Sequence, residues 1–143
     1  MRPILSIALP FLIWINAAAQ DEPAAVKPII ALTKIEPNAK AFEDSGKKKP
    51  LALKSEKEAA KYFEAAQLKK LEAQVDFEKQ VVLVFAWKGS GQDKMTFEVA
   101  ESFPEQITFK YQPGRTRDLR PHVKIYALRS NVKWSVKDAS NTR

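Results

Sequence analysis

Arg115, Arg117 and Arg120 occupy one short run directly after Pro113-Gly114. A guanidinium is a rigid planar fork of N–H donors, which suits carboxylates, phosphates and sulfates. Lys124, Lys133 and Lys137 follow at strand spacings, and Lys133 and Lys137 share a face with Ser135 if that segment is extended. With Lys110 and Arg129 they oppose a single acid, Asp118, between residues 110 and 137. The chain has 24 Lys and Arg against 17 Asp and Glu, a net charge of +7. Residues 20–109 are close to balance, so the excess lies in that one segment. Such asymmetry points to a surface for anionic partners. Two structural uses stay open: alternating lysines solvate an outer sheet face and protect its edge, and Asp118 pairs with an arginine and pins the loop. If the last strands are neighbours, Lys124, Lys133 and Lys137 form one positive stripe beside the arginine loop.

Other chemistry finds little to work with. Cysteine is absent, which excludes disulfides, thiolate metal sites and a cysteine nucleophile. The single histidine, His122, follows Pro121 and reads as a surface or edge residue at the start of a strand; no second His or Cys joins it in a metal site. No serine stands in a nucleophile-elbow context. Asp76 and Glu78 straddle Phe77, but Asp76 is better explained as a turn residue before a strand. Gly89-Ser90-Gly91 reads as a turn whose glycines supply positive φ, with no Lys-Ser/Thr after it at P-loop spacing. Trp87 and Trp134 read as core or rim residues of strands rather than rings that stack on sugars or bases. Neither an enzyme nor a cofactor is expected.

The elements that must position these residues follow from the pattern. Met1-Arg2-Pro3, the apolar Ile4–Ile15 and Ala17-Ala18-Ala19 form a signal peptide over 1–19, with the cut expected before Gln20. The apolar run falls short of the ~20 residues of a spanning helix. No second hydrophobic stretch follows, so the mature chain is expected to lack a transmembrane segment. A cysteine-free exported domain fits bacterial export, to the periplasm or the cell surface. Nucleic acid is not expected as a specific partner there. Residues 20–49, with Pro23, Pro28 and Pro37, read as a tether in which 28–35 is either an edge strand or an apolar linker. Ser55 and Glu58 form a capping box, and Ala59, Ala60, Phe63, Ala66 and Leu71 form one helical stripe, with Lys70 the misfit. This predicts one amphipathic helix of about 16–18 residues.

Val81–Trp87 is a continuous apolar run, as in a strand buried on both faces. Met95, Phe97 and Val99, then Ile107, Phe109 and Tyr111, alternate with polar residues, and Val123–Leu128 and Val132–Val136 complete the set. The expected fold is α+β: one helix packed on a mainly antiparallel meander of four to six strands, over residues 50–138, with a tail at 139–143.

Leu51-Ala52-Leu53, the helix from Ser55, and Val75-Asp76-Phe77 leading into the apolar strand and a glycine turn resemble the PrcB C-terminal domain family. That family is named for a lipoprotein subunit of a bacterial surface protease complex. The resemblance spans roughly residues 50–137; the turn here reads Gly89-Ser90-Gly91-Gln92, and the lipid-bearing cysteine is missing. It implies a non-catalytic exported domain that supports another protein, and it transfers no catalytic residue. Three expectations result. The first is a docking domain for an acidic protein, an anionic envelope polymer or lipid headgroups. The second is an accessory subunit of a cell-surface complex that binds through an apolar sheet edge or the 28–35 segment. The third is a small hydrolase, or an inhibitor of one.

Overall fold

The computed structural model describes residues 27–139; the expected signal peptide, residues 20–26 and residues 140–143 lie outside it. In chain order the elements are β1 (Ile29–Leu32), α1 (Ala39–Asp44), β2 (Leu51–Leu53), α2 (Glu56–Ala59), α3 (Ala65–Glu72), β3 (Gln80–Gly89), β4 (Lys94–Ala100), β5 (Gln106–Gln112), β6 (Arg120–Arg129) and β7 (Lys133–Asp138). The fold is mixed α+β and mainly sheet.

The apolar run in β3 explains the architecture. Val82, Leu83, Val84, Phe85 and Ala86 are fully buried, so both faces of that strand need cover. β3 is an inner strand of an antiparallel sheet ordered β1-β6-β3-β2. On one face Val82, Val84, Ile125 and Ala127 pack with Leu53, Ala59, Phe63, Leu71 and Val75 of β2 and the helical layer. On the other, Leu83, Phe85, Trp87, Tyr126 and Leu128 meet Met95, Ile107, Phe109 and Tyr111 of a second sheet, ordered β4-β5-β7. The rings of Phe85 and Phe109 lie 5.0 Å apart, and those of Phe109 and Tyr126 5.1 Å apart, joining the two sheets by aromatic packing.

This corrects the expected meander of four to six strands. Among the described residues seven strands divide between two sheets, and β6 and β7, consecutive in sequence, lie in different ones. β6 pairs antiparallel with β3 along ten residues, from Gln80↔Arg129 to Gly89↔Arg120, while β7 runs parallel to β5. A single meander backed by one helix would leave one face of β3 in water.

The single long helix is also corrected. Two short helices, α2 and α3, replace it, and a third, α1, lies upstream of β2. The Ser55 side chain accepts from Glu58 N–H at 3.2 Å, as the capping box requires, while the Glu58 carboxylate takes the N–H of Lys54. α2 then stops, because Asn38 takes the carbonyls of its C-terminal turn: the Asn38 N–H donates to Tyr62 O at 2.7 Å and its side-chain amide to Lys61 O at 3.1 Å. Glu64 is extended and restarts the chain as the cap of α3, so Ala60, Ala66 and Lys70 are all exposed. Residues 28–44, within the stretch read as a tether, carry β1 and α1. Ile29–Leu32 pairs with Leu128–Ile125, and the Ser45 hydroxyl bonds the backbone of Ala86 in β3.

Candidate functional site

The arginine loop is laid over the β3–β4 turn and fastened there by backbone and carboxylate. Asp93 accepts the Gly114 N–H at 2.7 Å on one oxygen and the Trp87 indole N–H at 3.0 Å on the other. Burial pushes the Asp93 carboxyl up, but those two donors and the Tyr111 hydroxyl outweigh it, and its pKa is lowered. Asp118 accepts the Gly91 N–H at 3.1 Å and pairs with Arg120 at 2.6 Å. The Thr116 hydroxyl, the Gly91 N–H and the Arg120 guanidinium lower the Asp118 carboxyl to about 2. Thr116 also bonds the Ser90 hydroxyl at 2.6 Å.

Among the described residues no glycine has a positive φ, which corrects the reading of the glycine turn. The glycine that close approach requires is Gly114, in the arginine loop. A Cβ on Gly114 would lie 2.6 Å from Gln92 Cβ and 2.7 Å from its carbonyl carbon. His122 is not a surface residue either. It is partly buried, its ring stacks on Trp87 at 4.9 Å, and Nε2 lies 2.7 Å from the Ser90 carbonyl oxygen. A carbonyl only accepts, so Nε2 carries the proton. Asp76 is the turn residue expected: its carboxylate accepts the Glu78 N–H at 3.0 Å.

The structure splits the expected positive stripe. Lys124 lies on β6 in the first sheet, paired with Phe85, beside Thr33 and Lys34 at the end of β1. Arg120 is committed to Asp118. Arg129 sits at the far end of β6, held by Glu105 and Asn131. Lys133 and Lys137 do share a face with Ser135, on the outer side of β7. That face continues across the second sheet, since Lys137 pairs with Lys110, and Lys110 with Thr96.

Lys94 and Arg115 line one shallow hollow at the loop end of this sheet. The assembled surface is therefore Lys94, Lys110, Lys133, Lys137 and Arg115, with Arg117 on the exposed loop beside it. Lys110 is paired with Glu98 at 2.6 Å; among the described residues the side chains of Lys94, Lys133, Lys137, Arg115 and Arg117 have no carboxylate partner. The sequence reading missed Lys94, because only the pairing of Lys94 with Gln112 brings it beside the loop.

Among the described residues no group of three His, Asp or Glu side chains could hold a metal ion, and no helix is long and apolar enough to cross a membrane. Asp93, Trp87, Tyr111 and His122 form a polar cluster beneath the loop: Asp93 holds Trp87 and Gly114, His122 meets the Ser90 carbonyl, and the Tyr111 hydroxyl accepts from Lys47 at 3.3 Å. No protein-family model, curated protein or solved structure matches the chain.

Proposed function

We propose that this is an exported, non-enzymatic docking domain that binds an anionic envelope polymer through the outer face of its second sheet and the loop of Arg115 and Arg117. One observation carries the reading: five cations on one surface lack carboxylate partners among the described residues, on a scaffold that holds them in place. They are spread out rather than gathered into a pocket. Lys133 and Lys137 are four residues apart on a strand, roughly 13 Å, and Lys137 is about 5 Å from its neighbour Lys110. An array over a flat, Thr- and Ser-bearing face suits a chain of repeating phosphate, sulfate or carboxylate groups better than one small anion. Arg120 is not part of this surface, because Asp118 already neutralises it.

The test is retention of the purified protein on isolated bacterial envelope and on immobilised heparin across a salt series. Exposed charges are screened over about 8–10 Å at physiological salt, so retention on envelope falls steeply with ionic strength. Retention on heparin alone would mean generic basicity and would count against a specific envelope partner.

A further inference from the structure

Among the described residues β4 is an edge strand with nothing paired to its outer side. All seven of its residues pair with β5, from Lys94↔Gln112 to Ala100↔Gln106, so it contains no bulge, and it contains no proline. Natural edges are usually blunted by one of those devices or by a cover, because alternate N–H and C=O groups point outward and template further pairing. The inward residues are incompletely covered as well. Met95 is buried, but Phe97 and Val99 are each 37% exposed, although the Phe97 ring lies 5.5 Å from Tyr126 and 6.3 Å from Phe109. Ala31 and Lys124, the residues of the first sheet on this flank, are exposed, so that sheet does not close over the edge.

The sequence of this edge is complementary to itself. In an antiparallel pairing centred on Thr96, Lys94 of each copy opposes Glu98 of the other, and Met95 opposes Phe97. Centring on Phe97 would set Lys94 against Ala100, and centring on Glu98 would set two carboxylates against each other. A half-step shift would turn the apolar residues outward. Glu98 is already paired with Lys110 at 2.6 Å, so in the Thr96-centred register the outer face would alternate in sign from Lys110 through Glu98 to the other copy's Lys94.

We propose that the β4 edge is a homodimer surface, on which a second copy of this chain pairs antiparallel about Thr96 to make a continuous six-stranded sheet. The pairing does not depend on anion docking and is tested with no polyanion present. Sedimentation of the purified protein over a concentration series is expected to show a monomer–dimer equilibrium. Lys94→Glu and Glu98→Lys chains are each expected to remain monomeric, since each sets like charges opposite each other. Mixing the two restores opposite charges at both positions and is expected to restore the dimer. The chain has no cysteine, so a Thr96→Cys variant carries a single thiol. Mild oxidation should link it about tenfold faster than an equally exposed Ser135→Cys variant, because the pairing raises the local thiol concentration. Circular dichroism checks that each variant is folded. A wild-type chain that stays monomeric up to its solubility limit overturns the proposal. So does a dimer that survives Lys94→Glu, or equal cross-linking of the two cysteine variants.

Discussion

Asp93 and Asp118 between them hold the arginine loop, and both have lowered pKa values. Glu105, beside Arg129, and Asp44, beside Lys40, shift the same way. A carboxyl more acidic in the folded chain than in the unfolded one stabilises the fold above its ordinary pKa. That contribution is lost as pH falls through the folded value, which for Asp118 means from 3.8 to about 2. The thermal midpoint is therefore predicted to hold from neutrality to about pH 5 and to decline between about pH 4 and pH 2. Asp118→Asn should make the decline shallower, and an identical acid profile in that variant would exclude this role.

Gly114→Ala tests the loop's close seat. With backbone and Cβ atoms of Gln92 at 2.6–2.7 Å from the added methyl, the loop must lift, at a cost of about 1–3 kcal/mol. Gly46→Ala has nothing within 4 Å and serves as the neutral control in the same denaturant titration. The Asp118–Arg120 pair and the turn role of Asp76 were legible in sequence because each joins residues two positions apart, whereas the Asp118–Gly91 bond spans 27 positions. The Asp93–Gly114 bond joins residues 21 positions apart, and no local pattern announces it.

The strands were legible one by one and their arrangement was not. Alternation in β4 and β5 marks which residues face inward, but it is silent on which sheet a strand joins or whether β7 runs parallel to β5. Lys124 and Lys137 consequently looked like parts of one stripe and lie in different sheets. The long helix failed for a similar reason: its stripe is genuine at Ala59, Phe63 and Leu71, but Asn38, from upstream of β2, interrupts it. If aromatic packing between the sheets is the main contribution to the fold, the fully buried Phe109, in contact with Phe85 and Tyr126, is its most sensitive position. Phe109→Ala is predicted to cost about 3–5 kcal/mol in chemical denaturation. A loss under about 1 kcal/mol would place the stabilising core in the helical layer instead.

At the scale of the whole molecule, the helical layer and the second sheet cover opposite faces of the first sheet, and both are studded with lysines. Net charge alone therefore does not distinguish a docking face from a solubilising coat, and the position of the charge must be tested. One variant reverses Arg115, Arg117, Lys133 and Lys137 to Glu. A second reverses Lys57, Lys61, Lys69 and Lys70, exposed cations of the helical layer, and has the same net charge. At ~0.5 kcal/mol for each exposed charge contact, losing four such contacts corresponds to about thirtyfold in affinity. The deciding measurement is the affinity of the wild-type protein and both variants for isolated envelope at physiological salt. The account predicts at least that loss for the sheet-and-loop variant and little change for the helical-layer variant. Equal losses in the two would show that the binding follows net charge and not this surface.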